Sequence, residues 1–201
     1  MTDDLLIRGP ADAEQRLVLL HGWGADADDL LDLGEELAGR RTGVVSLRAP
    51  EAHPCGVGRQ WYDLQQSEWP GLAGARQQLK LRLEALAESL PLERTVVLGF
   101  SQGAAMALDV ASDLPVAGVI CCSGYPHPGW NPRAPLPPIL LTHGRADPMV
   151  PYAASEELQR LWRNAGGDSQ LLGFPGEHTI DTALFPALRR FMEQHWPTPS
   201  T

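Results

Sequence analysis

The residues best suited to chemistry in this sequence lie in a Gly-x-Ser-x-Gly turn. Ser101 stands between Gly99 and Gly103, after the β-branched apolar residues 96–98 and before an Ala- and Leu-rich stretch. A serine at such a strand-to-helix corner projects its hydroxyl out of the turn, and the flanking glycines let strand and helix cross closely. The pattern predicts a nucleophilic serine. The alternative is a glycine-rich turn that only packs tightly.

A serine hydroxyl needs a histidine to take its proton and a carboxylate to orient that histidine. Asp147 and His178 follow Ser101 in the chain, and each comes just after a predicted strand. Asp147 precedes Pro148 and could also be an ordinary turn or helix-capping residue, because Asp is common in such turns. Taken together, the three residues predict a catalytic triad with Ser101 as nucleophile, His178 as base and Asp147 as acid.

The other titratable candidates are placed less well. We interpret His143 as a strand-end residue that supports the acid loop, and His21 as a residue that fixes the backbone of a glycine-rich loop by hydrogen bonds. Asp109 and Asp113 lie on the helix after Ser101 or at its end, away from the predicted rim. The remaining histidines lie in long loops or near the end of the chain: His53, His127 and His195.

Acyl transfer also requires N–H donors for the oxyanion of the tetrahedral intermediate. One predicted donor is the backbone N–H of Gln102, directly after the nucleophile, and the other is that of Trp23 in the loop Gly22-Trp23-Gly24. An alternative is that this loop binds phosphate. The loop lacks the Gly-x-Gly-x-x-Gly spacing and the Walker lysine, so we discount that alternative.

Strands and helices alternate along the whole chain, which predicts an α/β fold with a mostly parallel sheet and helices on both faces. An edge strand is expected near residues 5–7, and further strands at 16–20, 43–47, 95–99, 116–122, 139–143 and 170–174. Helices are expected from a cap at Asp26 or Asp28 to about residue 38, over 72–90, after Ser101, from about 153, and from a cap at Thr179 or Asp181. Ligands bind beyond the carboxyl ends of parallel strands, so the candidate residues are expected at one rim.

The chain is predicted to form a single domain over residues 1–201, with a frayed tail at about 197–201. Hydrophobic residues make up 43% and charged residues 20% of the sequence, as in an ordinary globular protein. Two long connections, residues 49–71 and 123–138, are irregular and contain aromatic residues. Loops of this length in a compact domain are usually functional or disordered, and the aromatic residues of the first argue against disorder.

Charge and cysteine content narrow the class of partner. The net charge of −9 argues against nucleic acid or an anionic membrane surface as a partner, because both repel an acidic protein. The 3 cysteines form no disulfide framework and no zinc-ligand spacing. No apolar run is long enough for a membrane span, and the N-terminal residues lack the features of a signal peptide. These observations predict a cytoplasmic protein without integral membrane association.

Several motifs together resemble the phospholipase/carboxylesterase family of α/β-hydrolases, which includes the acyl-protein thioesterases. The matching motifs span almost the whole chain: His21-Gly22-Trp23-Gly24-Ala25-Asp26, Trp61-Tyr62-Asp63, Gly99-Phe100-Ser101-Gln102-Gly103, His143-Gly144-Arg145-Ala146-Asp147 with Val150-Pro151, and Gly176-Glu177-His178. The resemblance implies an α/β-hydrolase fold without a large lid domain. It also implies a serine esterase that needs no cofactor or metal and acts on carboxylic esters or thioesters with an apolar acyl group.

Within that resemblance, Trp23, Trp61 and Met149 are candidates for the apolar wall of the acyl site. Trp23 stands where family members often carry an aliphatic residue, and its indole could narrow the site. The expected function is hydrolysis of a small-molecule ester or acylated substrate, with thioesters and lysophospholipids as possible substrates. Two alternatives are a peptidase or amidase on the same fold, and a non-catalytic binding protein. Monomer and homodimer are both left open.

Overall fold

The structure is a computed structural model that describes residues 4–197. Its strands are β1 (Leu5–Arg8), β2 (Gln15–Leu20), β3 (Thr42–Leu47), β4 (Glu51–Ala52), β5 (Arg59–Gln60), β6 (Thr95–Phe100), β7 (Gly118–Cys122), β8 (Ile139–Gly144) and β9 (Ser169–Phe174). Its α-helices are α1 (Leu31–Leu37), α2 (Leu72–Leu86), α3 (Gln102–Ala111), α4 (Ala153–Asn164) and α5 (Phe185–His195). None of the helices among these residues is long and apolar enough to cross a membrane.

Seven strands form one sheet in the order β1-β3-β2-β6-β7-β8-β9. Only the edge strand β1 runs antiparallel to its neighbour, and the other neighbouring pairs are parallel. In the middle of the sheet, Val18 of β2 pairs with Val45 on one side and Val97 on the other. These strands are apolar at nearly every position because helices cover both faces of the sheet. The predicted mostly parallel α/β sheet is confirmed.

The helices divide between the two faces of the sheet. One face packs against α2, α3 and α4 through side chains such as Leu79, Met106 and Trp162. The other packs against α1 and α5 through side chains such as Leu31 and Leu188. Helix α3 is buried along its whole length, because it lies between the sheet and α2 and is built mainly of small and apolar residues.

Two helix boundaries differ from the sequence-based expectation. Helix α1 begins at Leu31 without a side-chain cap, so the predicted cap at Asp26 or Asp28 is wrong. The Asp26 carboxylate instead accepts the Ala27 N–H at 2.6 Å and pairs with Arg48 at 2.7 Å, which ties it to the loop after β3. Helix α2 ends at Leu86, four residues earlier than expected, and a further turn follows it.

The last helix begins as one of the two expected caps predicts. Asp181 accepts a hydrogen bond from the Ala183 N–H at 2.9 Å and starts a short 3₁₀ turn, Thr182–Leu184, that leads into α5. Pro186 lies in the first turn of α5, where the absence of its N–H costs no hydrogen bond. Of the tail predicted to fray, residues 198–201 lie outside the described part of the chain.

The long connection over residues 49–71 contains an element that the sequence did not predict. Strands β4 and β5 form a small antiparallel pair. Beside this pair, the Gly24 N–H donates to Arg59 O at 2.8 Å, and the Arg59 N–H donates to Ala25 O at 2.7 Å. The pair therefore fixes the backbone of the glycine-rich loop that follows β2.

Candidate active site

Ser101 occupies the corner between β6 and α3 with φ 53° and ψ −117°, a conformation that L-residues adopt rarely. Its N–H donates to Cys122 O on the neighbouring strand at 2.9 Å. A Cβ at Gly99 would lie 2.3 Å from Gly103 O, and one at Gly103 would lie 2.1 Å from Leu20 O. Both positions therefore require glycine, which confirms the predicted close crossing of strand and helix.

His178 and Asp147 are joined by a short hydrogen bond, with 2.6 Å between His178 Nδ1 and Asp147 Oδ2. The other carboxylate oxygen, Oδ1, accepts the N–H groups of Met149 at 2.8 Å and Val150 at 2.9 Å. Burial by itself would raise the pKa of Asp147, but the hydrogen bonds from Val150, His178 and Met149 outweigh it and hold that pKa below its usual value. The carboxylate stays ionised and keeps the Nδ1–H of His178 directed toward it.

A second imidazole supports this carboxylate from the interior. His143 is fully buried, and its Nε2 lies 2.8 Å from Val150 O and 3.2 Å from Asp147 Oδ2. Because both neighbours are acceptors, Nε2 carries the proton, and Nδ1 accepts the hydroxyl proton of Ser155 at 2.7 Å. The interpretation of His143 as a support of the acid loop is confirmed.

The loops that carry the acid and the base are bonded to each other. The Arg145 N–H donates to Phe174 O at 2.8 Å, and the Ala146 N–H donates to Gly176 O at 2.9 Å. Gly144 allows this contact, since a Cβ there would lie 2.2 Å from Glu177 O. Asp147 and His178 are therefore positioned by adjacent parallel strands, β8 and β9, whose ends are tied together.

Ser101 and His178 open into one mainly apolar cleft of about 530 Å³. Trp23 and Met149, two of the three residues expected at an acyl site, also line it. The rest of the lining comes from Gly22, Ala25, Asp29, Leu64, Trp69, Phe100, Tyr125, Val150, Pro151 and Ala154. A depression of about 660 Å³ beside Arg40 and Trp196 contains none of the predicted site residues.

No hydrogen bond joins Ser101 Oγ to His178 among residues 4–197, although both side chains line the same cleft. The Phe100 ring lies against the His178 ring, with 4.8 Å between centroids. In unliganded hydrolases the bond between nucleophile and base is often long, and it shortens when substrate binds. The geometry thus brings the two residues to one cleft without a direct hydrogen bond between their side chains.

Trp61 does not line the cleft, which corrects its prediction as a substrate-binding residue. It is 1% exposed, and its indole N–H donates to His21 O at 2.9 Å. The same loop reaches the cleft through Leu64 and Trp69 instead. Trp61 is a packing anchor because its indole is large enough to fill the space under the loop after β2 and its N–H finds a buried carbonyl there.

Both predicted oxyanion donors belong to backbone near Ser101: Gln102 directly follows it, and a Cβ at Gly22, next to Trp23, would lie 3.5 Å from Ser101 Cβ. Gln102 is the first residue of α3, so its N–H has no acceptor within the helix. Its side chain is fixed, with Oε1 accepting the Trp61 N–H at 3.0 Å and Nε2 donating to Tyr62 O at 2.7 Å. Trp23 is held by its indole N–H, which donates to Gln60 Oε1 at 2.8 Å.

His21 is fully buried behind the loop that contains Trp23. The Ala49 N–H donates to His21 Nε2 at 3.1 Å, so Nδ1 carries the proton and donates to Gly22 O at 2.8 Å. Burial lowers the pKa of His21 and keeps it neutral. Its predicted role in fixing the loop backbone is confirmed.

Sequence reasoning missed a second aspartate–histidine pair, which lies behind one wall of the cleft. His127 Nδ1 is 2.6 Å from Asp109 Oδ2, and His127 Nε2 is 2.9 Å from the Tyr62 hydroxyl. The only local signal was an Asp on the buried helix α3, where an unpaired carboxylate would be costly. Its partner comes from a loop 18 residues away, so the pairing is a tertiary contact.

The profile of the phospholipase/carboxylesterase family matches residues 3–196. The chain belongs to this family. One relative is acyl-protein thioesterase 1 of Neurospora crassa. It is 30% identical to this chain over 122 residues, which are 54% of this chain and 49% of that protein. The match thus spans about half the length of that relative.

A longer match joins this family member to esterase YpfH of Escherichia coli, 26% identical over 185 residues, or 84% of this chain and 78% of that protein. The crystal structure of esterase PE8 superposes with a TM-score of 0.86 at 29% identity, covering 94% of this chain and 97% of that one. These names support the assignment of the chain as a serine hydrolase with the α/β-hydrolase fold.

Proposed function

We propose that this serine hydrolase cleaves carboxylic esters through Ser101, His178 and Asp147. The observation that carries the proposal is the 2.6 Å hydrogen bond from His178 to Asp147 at the rim of the cleft into which Ser101 opens. An imidazole held in this way has a fixed tautomer, and its Nε2 is available to take the proton of a hydroxyl group.

The reaction proceeds in two acyl transfers. His178 Nε2 takes the proton of Ser101 Oγ, which attacks the carbonyl carbon of the ester, and Asp147 stabilises the imidazolium that results. When the tetrahedral intermediate collapses, His178 returns the proton to the leaving alcohol or thiol. A water molecule then attacks the acyl-enzyme while His178 takes its proton, and His178 returns that proton to Ser101 Oγ as the carboxylic acid leaves.

The negative charge of each intermediate is stabilised by the N–H groups of Gln102 and Trp23. Gln102 N–H is directed from the start of α3, where the helix dipole adds to its effect. Trp23 N–H comes from a loop that β5 and Trp61 hold in place. Donors that are fixed before the substrate binds keep the cost of reorganisation low during the reaction.

The lining of the cleft supports an apolar acyl group as substrate. Trp23, Trp69, Phe100 and Met149 line the cleft, whose surface is mainly apolar. Thioesters and lysophospholipids remain candidate substrates within this class, consistent with relatives that are named acyl-protein thioesterases. Neither the amidase alternative nor the binding-protein alternative is favoured by a particular contact in the structure.

The first experiment compares Ser101→Ala with Ser123→Ala on p-nitrophenyl esters of graded acyl length. Ser123 is the matched control because it also follows a sheet strand and has φ 51°, but it is fully buried. We expect Ser101→Ala to lower kcat/KM by about 10⁴-fold or more, and Ser123→Ala to stay close to wild type.

Labelling with a fluorophosphonate separates the alternatives. The proposal requires an adduct on Ser101 in the folded protein, and an inert wild type without an adduct would favour a binding protein. Equal ester hydrolysis by wild type and Ser101→Ala would show that the nucleophile is another residue. Faster cleavage of amides than of matched esters would favour the amidase alternative.

The cytoplasmic location stays a prediction, supported by three cysteines that are all free thiols in the structure. The oligomeric state stays open between monomer and homodimer. Size-exclusion chromatography with light scattering decides it directly.

A further inference from the structure

A series of contacts, one ion pair followed by three hydrogen bonds, leads from the protein surface through the interior to the wall of the cleft. Arg76 Nη2 lies 2.8 Å from Asp109 Oδ1, an ion pair. Asp109 Oδ2 lies 2.6 Å from His127 Nδ1, and His127 Nε2 lies 2.9 Å from the Tyr62 hydroxyl. The Tyr62 hydroxyl lies 2.8 Å from that of Tyr125, which lines the cleft.

The charges in this series of contacts determine which group donates and which accepts in each hydrogen bond. Asp109 is 3% exposed and its charge is balanced by Arg76. A protonated His127, itself 4% exposed, would leave an uncompensated positive charge in the interior, which is costly. With its one N–H on Nδ1, His127 donates to the carboxylate of Asp109, which can only accept.

Each following group then has only one way to bond. His127 Nε2 can only accept, so the Tyr62 hydroxyl donates its proton to it. The oxygen of Tyr62 in turn accepts the proton of the Tyr125 hydroxyl. Burial raises the pKa of Tyr62 and raises that of Tyr125 to about 12, so both remain neutral phenols near pH 7.

The direction of these hydrogen bonds decides what Tyr125 can offer to a ligand. Tyr125 is half-buried and is the last residue in the series of hydrogen bonds. Its proton is committed to Tyr62, so its oxygen can offer only lone pairs to a ligand in the cleft. Trp69 packs against it, and Trp69 and Leu64, which also line the cleft, are mainly apolar apart from the indole N–H. A hydroxyl or N–H of a ligand would therefore find an acceptor here, and an ether or carbonyl oxygen would find lone pairs facing its own.

We infer that Tyr125 determines specificity for esters that carry a hydrogen-bond donor, a hydroxyl or amide N–H, in the part bound along the wall formed by Leu64, Trp69 and Tyr125. The inference rests on the proposed esterase function and adds a substrate class to it. The contacts of Tyr125 with Trp69, 5.9 Å between ring centroids, and with Tyr62 keep the acceptor in a fixed place. A hydrogen bond to a fixed acceptor changes kcat/KM by about threefold to tenfold.

The experiment measures kcat/KM for sets of three esters that differ in one substituent: a hydroxyl, the methyl group of the same size, and a methoxy group that accepts only. One series places the substituent at carbon 2, 3 or 6 of a p-nitrophenyl hexanoate. A second places it on the leaving alcohol of an alkyl hexanoate, as in the 2-hydroxyethyl, propyl and 2-methoxyethyl esters. For at least one position we expect wild type to prefer the hydroxyl over both analogues by about threefold to tenfold.

Two variants test whether the hydrogen-bonded series that ends at Tyr125 determines substrate specificity or only stabilises the fold. Tyr125→Phe removes the acceptor and should abolish the preference for the hydroxyl, measured as the ratio of kcat/KM between the hydroxyl ester and its methyl analogue. Tyr62→Phe removes the acceptor of the Tyr125 proton, which then becomes available to the ligand, so the preference should shift toward the methoxy ester. Tyr152→Phe, on a tyrosine outside the cleft lining, is the matched control and should keep the wild-type ratios.

The outcomes separate this inference from the proposed function. Hydrolysis of the unsubstituted ester that depends on Ser101 tests the proposed function alone. If that hydrolysis occurs but wild type shows no hydroxyl preference at any position in either series, the inference is wrong. It is also wrong if wild type prefers the methoxy esters, or if Tyr125→Phe loses stability but keeps the wild-type ratios.

Discussion

Two aspartate–histidine pairs within residues 4–197 share the same Nδ1–Oδ2 distance and differ in their surroundings. In each pair, 2.6 Å separates histidine Nδ1 from the carboxylate Oδ2: His178 with Asp147, and His127 with Asp109. The His178 side chain is 18% exposed at the rim of the cleft, whereas that of His127 is 1% exposed. The pair alone therefore does not make a base, because a base also needs access to a substrate.

The groups that surround the two pairs also differ. Nε2 of His127 is occupied by the Tyr62 hydroxyl, while His178 lines the cleft that also holds Ser101. Asp109 is balanced by a guanidinium, while Asp147 is held by two backbone N–H groups of its own turn. The first arrangement suits an imidazole that stays neutral and fixes the direction of a phenol, and the second suits one that becomes charged for a moment.

The largest contrast is expected from removing the two imidazoles. His178→Ala should lower kcat/KM for p-nitrophenyl esters by about 10⁴-fold or more, because no other group takes the proton of Ser101. Its thermal midpoint should fall by less than that of a His127 variant, since the His178 side chain is 18% exposed and Asp147 keeps its hydrogen bonds from Met149 and Val150. Steady-state kinetics and calorimetry on the same sample measure both quantities. A loss of activity below tenfold would assign the base elsewhere.

His127→Leu should show the opposite behaviour. It leaves Asp109 Oδ2 and the Tyr62 hydroxyl without their partner in the interior, which should cost about 2–4 kcal/mol of unfolding free energy. Hydrolysis of an unsubstituted ester should fall by less than tenfold at a temperature where the variant is folded. Urea unfolding followed by fluorescence gives the stability, and His178→Leu is the matched control. Similar losses of activity in both variants would contradict the distinction between the pairs.

The smallest expected effect concerns the pH dependence of stability. The pKa of Asp147 is held below its usual value in the folded protein, so its ionisation stabilises the fold above the unfolded pKa of about 4 and is lost as the pH falls through the folded value. Asp147→Asn lacks this contribution. The difference in unfolding free energy between wild type and Asp147→Asn should therefore shrink as the pH is lowered from about 5 to 3.

Urea unfolding at several pH values measures this difference, and Asp113→Asn, at an exposed carboxylate, controls for the loss of one negative charge. A difference that stayed constant over the whole range would mean that the hydrogen bonds to Asp147 do not favour its charged form.

Much of the fold could be predicted because the local pattern of apolar residues indicates most of the strands and helices. The buried parallel strands are apolar at nearly every position, and the leucine spacing of α2 is that of a helix, so both are recognisable without tertiary information. The start of α1 could not be predicted from the sequence. Asp26 has the residue type of a helix cap, but its carboxylate is bonded to Arg48, 22 residues away. The pair of β4 and β5 is too short to leave a pattern.

The site divides in the same way. Ser101, Asp147 and His178 follow strand ends in an order that fixes their common rim, and the structure places them around or directly behind one cleft. Trp61 could not be distinguished from Trp69 by sequence, because both are aromatic residues in one irregular loop. The pairing of His127 with Asp109 depends on how the loop after β7 folds over α3, which no local pattern describes.

Because every residue of α3 is buried, its amide hydrogens exchange with solvent only when the sheet and its covering helices separate. The loops that carry Asp147 and His178 have exposed neighbours, such as Met149 and Glu177, and open at smaller cost. On warming, the acid and base should lose their order before the nucleophile does. A moderately heated molecule would then keep its serine in place without a base, and would recover hydrolysis on cooling because its core had never opened.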